Sequence, residues 1–82
     1  MGNIWEDKEP DFVNEKGVKW WFDEDTTRYG KLPHYKVFFI QDKSYLSWVI
    51  IDYRTNKVVY ESQGIEDICV HLEMLRLMEE AE

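Results

Sequence analysis

The sequence predicts an α+β fold: a mostly antiparallel four-stranded sheet packed on one C-terminal helix, with an acidic N-terminal arm. Three observations predict it. Residues 18–62 run as short stretches rich in β-branched and aromatic side chains, separated by turn residues. After Gly64 the spacing of apolar residues changes from two to three and four. The 82 residues, 44% apolar and 16% aromatic, supply one core and therefore one domain.

Residues 1–15 read as the arm, a polar stretch carrying Ile4, Trp5, Phe12 and Val13, and residues 16–82 as the domain. "VKWWF" alternates as the first strand, with Val18, Trp20 and Phe22 on one face and Lys19 and Trp21 on the other. "DEDTTRYGKLP" reads as a loop. "HYKVFFIQ" and "YLSWVIIDY" follow as two strands joined through a turn at Asp42 and Lys43. A hairpin closes through Arg54, Thr55 and Asn56, where asparagine suits the left-handed position of a three-residue turn, and "KVVYES" is the fourth strand. In the last segment Ile65, Ile68, Cys69, Leu72, Leu75 and Met78 form one helical face. Gly64 is its N-cap, and Glu66 and Asp67 in the first turn suit the helix dipole. Glu79, Glu80 and Glu82 sit where that dipole favours cations, so the last turn frays or meets a basic partner.

Those turn lengths sort the side chains, because paired residues of an antiparallel hairpin share a face. One face collects Tyr35, Val37, Phe39, Leu46, Trp48, Ile50, Val58 and Tyr60, with Asp52 as the exception at its edge. It is the bed for the helix, and Val18, Trp20 and Phe22 join it. The opposite face collects Lys19, Trp21, Lys36, Phe38, Ile40, Tyr45, Ser47, Val49, Ile51, Tyr53, Lys57, Val59 and Glu61. It is half apolar and net basic, and a solvated face would alternate cleanly to polar residues, so something covers part of it. The arm, a second copy of the chain and a different macromolecule are the three available covers.

Charge is unevenly placed along the chain. Residues 1–15 hold five acids and one lysine, residues 16–60 five acids and eight bases, and residues 61–82 seven acids and one arginine, for a total of −7. Catalytic chemistry has little to stand on: His34 and His71 have no partner at useful spacing, and Cys69 and His71, two apart on a helix, do not share a face. There is no phosphate loop, nucleophile elbow, zinc spacing or calcium loop, so no cofactor and no metal is expected. The single cysteine and the lack of an apolar run of membrane length point to a cytoplasmic protein with no membrane partner.

Two binding classes remain. In the first, the chain is an interaction module, or inhibitor, whose carboxylates Glu66, Asp67, Glu73, Glu79 and Glu80 enter a basic groove of a nucleic-acid-handling enzyme as a nucleic-acid mimic. In size, charge and lack of catalytic residues it is similar to the small acidic proteins that phages use against host nucleases, including anti-CRISPR and anti-restriction proteins. That similarity of composition implies a protein partner and inhibition by occupancy. In the second class, Trp21, Phe38, Tyr45 and Tyr53 with Lys19, Lys36 and Lys57 form a stacking sheet for single-stranded nucleic acid. A net charge of −7 repels a polyanion and favours the first.

Overall fold

The structure, a computed structural model, describes residues 8–80. Ile4 and Trp5 lie outside the described residues. Five strands form one antiparallel sheet in chain order: β1 (Phe12–Val13), β2 (Lys19–Phe22), β3 (Tyr35–Asp42), β4 (Tyr45–Asp52) and β5 (Lys57–Ser62). Helix α1 (Glu24–Gly30) connects β2 to β3, and α2 (Ile65–Glu80) follows β5. The molecule is α+β with a C-terminal helix, as expected, but with five strands in place of four and a second helix.

The fifth strand comes from the arm. Phe12 pairs with Trp20 and Val13 with Lys19, and Asp11 bonds β2 twice: its N–H donates to the Trp20 carbonyl, and its carboxylate accepts from Phe22 N–H at 2.7 Å. The turn between them is built by Asn14, whose side chain accepts from the N–H groups of Lys16 and Val18, and by Gly17 at φ +82°. Thus residues 8–15 are tied to β2.

The segment expected to be a loop after β2 forms α1 because it caps itself. Asp23, the N-cap, accepts from Thr26 N–H at 3.1 Å and from the Thr26 hydroxyl at 2.7 Å. Glu24 and Asp25 fill the first turn, and the chain leaves the helix through Lys31 in the left-handed region, φ 54°. Gly30 lets this end approach α2: a Cβ there would stand 3.2 Å from Leu72 Cδ2. α1 lies against β3 and α2, and α2 against β4 and β5. Both helices cover the same face, over a core of Leu32, Tyr35, Val37, Ile50, Ile68 and Leu72.

Register settles which side chains meet that core. In the β3–β4 hairpin Asp42 pairs with Tyr45, so the turn is Lys43 and Ser44 rather than Asp42 and Lys43. Lys43 takes the positive φ that the first position of such a turn requires. A shift of one residue in the turn moves the pairing by two, and the faces survive: Val37 meets Ile50 and Phe39 meets Trp48. In the β4–β5 hairpin the connection is four residues, 53–56, and a β-bulge at Val59 absorbs the difference. Ile50 faces Tyr60 as expected, but beyond the bulge Ile51 pairs with Val58 and Asp52 with Lys57. Val58 therefore leaves the helix-side face and Lys57 joins it, the reverse of the expectation.

The first strand is also reversed. Trp21 pairs with Phe39 and Trp20 with Ile40, so Trp21 and Lys19 lie on the helix side, while Trp20 and Phe22 lie on the other. Trp21 is 3% exposed. It starts an aromatic row, Trp21–Phe39–Trp48, with ring centroids 5.8 and 4.8 Å apart, and its indole N–H donates to the Lys8 carbonyl at 3.0 Å. The arm does reach Trp21, on the face opposite to the expected one.

Candidate functional site

The outer surface of α2 gathers two kinds of side chain. Ile68 and Leu72 are buried, and the residues half a turn away from them point to solvent: Val70, Met74 and Leu77 are 57%, 53% and 61% exposed. Their spacing of four and three makes one continuous apolar stripe. Glu66, Glu73 and Glu80 recur every seven residues, two turns apart, and form a row along one flank of that stripe. Glu73 is held in place by the hydroxyl of Tyr29 in α1, which donates to its Oε1 at 2.7 Å. That hydrogen bond and the carboxylate's charge raise the pKa of the half-exposed Tyr29 phenol.

The other two expected carboxylates lie apart from this row. Asp67 accepts from the Ser62 hydroxyl at 2.9 Å, tying the first turn of α2 to the end of β5. Glu79 turns toward the C-terminal end of α1, where with Lys31, Leu32, Arg76 and Glu80 it lines an open cleft of about 480 Å³. Of Glu66, Asp67, Glu73, Glu79 and Glu80, three form one acidic edge.

The expected sheet-face group is dispersed as well. Trp21 is inside, and Lys19 shares its face beside Gln41. Lys57 sits opposite Asp52 on the helix side. Phe38 does lie on the face that neither helix covers, packed edge-on against Trp20 at 5.8 Å and tilted against Phe22 at 5.5 Å. Lys36 holds its ammonium over the Tyr53 ring at 4.0 Å, bonds the Tyr53 hydroxyl, and stands 5.3 Å from the Phe22 ring. Tyr45 stands at the far end of β4, eight residues or about 26 Å from Tyr53. Among the described strand residues of this face Lys36 is the one base, set against the acids Asp42 and Glu61. The face is apolar rather than basic, and an apolar groove of about 340 Å³ runs over it, lined by Phe12, Trp20, Phe38, Ile51, Asn56 and Val58. Trp20, Phe22 and Phe12 take the place expected for Trp21.

His71 and Cys69 sit in structural settings, and His34 is tied into the fold through its backbone. His71 stacks on Tyr60, centroids 4.1 Å apart and planes 6° from parallel, and the His34 carbonyl accepts from Tyr53 N–H at 2.7 Å. Burial, followed by the charges of Asp23, Glu73 and Glu66, pushes the Cys69 thiol up and keeps it protonated at neutral pH. Among the described residues no group of three or more His, Cys, Asp or Glu side chains is placed to hold a metal ion, and no helix is long and apolar enough to cross a membrane. Compared with protein-family models, with curated proteins and with solved structures, the chain matches none.

Proposed function

We propose that this chain is a non-enzymatic protein-binding module that presents the outer face of α2 to a basic groove, and that its target is a nucleic-acid-handling enzyme, which it inhibits by occupancy. The observation that carries the proposal is the row Glu66, Glu73 and Glu80 beside the exposed stripe Val70, Met74 and Leu77. A solvated helix face has no use for three large apolar side chains in line, and such a patch marks an interaction surface. The acidic flank selects a cationic partner and excludes nucleic acid itself. The competing use of the sheet as a stacking platform is not favoured, because the lysines it needs are split between two faces and Trp21 is buried.

The test is displacement of a labelled oligonucleotide from CRISPR and restriction nucleases by the wild-type chain and by the triple variant Glu66→Gln, Glu73→Gln, Glu80→Gln. With each exposed ion pair contributing roughly 0.5 kcal/mol, the variant should need about tenfold more protein for the same displacement. Added salt should weaken the wild type more than the variant. Tight binding of the oligonucleotide by the chain itself, or no displacement from any of these nucleases, overturns the proposal.

A further inference from the structure

We infer that the outer face of α2 receives a basic amphipathic helix of another protein, seated along Val70, Met74 and Leu77 as in a short coiled coil. The inference rests on the proposal above that this face is the binding surface, and it specifies what lies in the partner's groove. The spacing four then three places Val70 and Leu77 at d positions and Met74 at an a position of a heptad. In that register Glu66, Glu73 and Glu80 all occupy g, the position whose charge selects the partner helix. The e positions are His71, engaged in its stack on Tyr60, and Met78, 64% exposed. The a position one heptad before Met74 is Asp67, bonded to the Ser62 hydroxyl, so the apolar seam spans Val70 to Leu77, with the glutamates on one flank and His71 and Met78 on the other. A helix with leucine-like knobs and lysine or arginine along one edge matches both.

Two other occupants fit less well. A surface that only imitates a nucleic-acid backbone needs dense charge, but the glutamate row offers three carboxylates over about 21 Å, a length in which one DNA strand carries about six phosphates. It has no use for the apolar stripe either. A second copy pairing antiparallel through α2 would set one glutamate row against the other, and a parallel pair would set Glu66 against His71 and Glu73 against Met78, with no lysine or arginine in either arrangement.

Methionine methyls make the test direct, since Met74 lies in the seam and Met78 beside it. The full chain, labelled at its methionine methyls, is titrated with three synthetic peptides: a Leu/Lys heptad peptide of three repeats, the same composition scrambled so that the apolar period is lost, and an oligolysine of equal charge. The expected result is that the heptad peptide shifts Met74 and Met78 and binds at least about tenfold more tightly than either control. Leu77→Asp, a change at an exposed position that should leave the circular dichroism spectrum intact, should reduce that affinity at least about tenfold. Equal binding of all three peptides without methyl shifts would overturn the helix inference while leaving an acidic binding surface in place. Failure of all three to bind overturns both. A doubled solution mass, with methyl shifts on dilution of the chain alone, assigns the seam to a second copy and likewise overturns the inference.

Discussion

Trp20 and Trp21 are neighbours in sequence with opposite structural burdens. Trp21 is inside, in contact with the Phe39 ring and bonded to the Lys8 carbonyl, whereas Trp20 is half-buried and its indole nitrogen has no partner. Trp21→Ala should therefore cost about 3 to 5 kcal/mol, much of the stability of a domain this small, and Trp20→Ala clearly less. Phenylalanine sharpens the contrast: Trp21→Phe loses a hydrogen bond and about 1 kcal/mol, while Trp20→Phe loses none. Urea midpoints of the four variants check this, and a Trp20→Phe loss equal to that of Trp21→Phe contradicts it. Asp52, which looked misplaced on an apolar face, closes the β4–β5 turn instead. Its carboxylate accepts from Arg54 N–H at 2.8 Å and from the Arg54 side chain at 3.2 Å, and its carbonyl accepts from Asn56 N–H at 2.6 Å. The Arg54 side-chain hydrogen bond is the main cause holding this carboxyl below its usual range. Because the folded pKa lies below the unfolded value of about 3.9, the contribution is complete above about pH 4 and is lost as pH falls through the folded pKa. Wild type should thus lose stability below about pH 4 more steeply than Asp52→Asn, and be the more stable of the two near neutrality. Parallel acid limbs in the two proteins would show that Asp52 has no such role.

Among the elements, α1 shows how little sequence a helix needs when its ends are well made. Seven residues without an apolar period give no amphipathic signal, and the signs that were present, aspartate three residues before threonine and acids directly after the aspartate, are those of a cap rather than of a periodic stripe. Asp23→Ala should cost about 1 to 2 kcal/mol, and Asp23→Asn, which keeps the accepting oxygen, much less. Equal urea midpoints for the two variants would place the effect outside the cap. The strands divide by how they are connected. β3 and β4 turn directly into one another, and alternation placed their faces even though the turn lies one residue further along than expected, because that shift moves the pairing by two. β2 reaches β3 through twelve residues containing α1, and no turn length carries the register across. With a tryptophan on each side, alternation within four residues was equally satisfied by either orientation. The pairing of Trp21 with Phe39 decides it, and this long-range contact leaves no local trace in the sequence. The sheet-face residue set inherited that error through Trp21 and Lys19, and a second one through Lys57, whose side depends on a bulge that no residue type announces. Helix α2 was legible over most of its length, because sixteen residues hold the period long enough to place the core stripe, but Met78, expected on that stripe, is 64% exposed, and Asp67 and Glu79 stand apart from the glutamate row.

At the scale of the whole molecule, the two layers leave the basic middle of the chain divided between sheet faces and turns, and three glutamates of the acidic C-terminal segment on one helix flank. Charge asymmetry along the sequence becomes asymmetry between surfaces, which under the proposed function would orient a cationic partner toward α2 before contact. The opposite end of the sheet order, β5, is an uncapped edge of six residues with Val58 and Val59 half-exposed, the kind of border that templates further strands. The bulge at Val59 changes what that border can do. Val58 belongs to the face of Ile51 and Tyr60 to the face of Ile50, so the side-chain parity of β5 breaks at its midpoint. A regular incoming strand that matches the pleat on one side of Val59 is out of phase on the other, and only a strand with a compensating irregularity could follow it along its full length. Repeated edge addition, the first step toward a fibril, is thereby disfavoured at a single residue, which lowers the hazard that the exposed Val58 and Val59 bring to this rim.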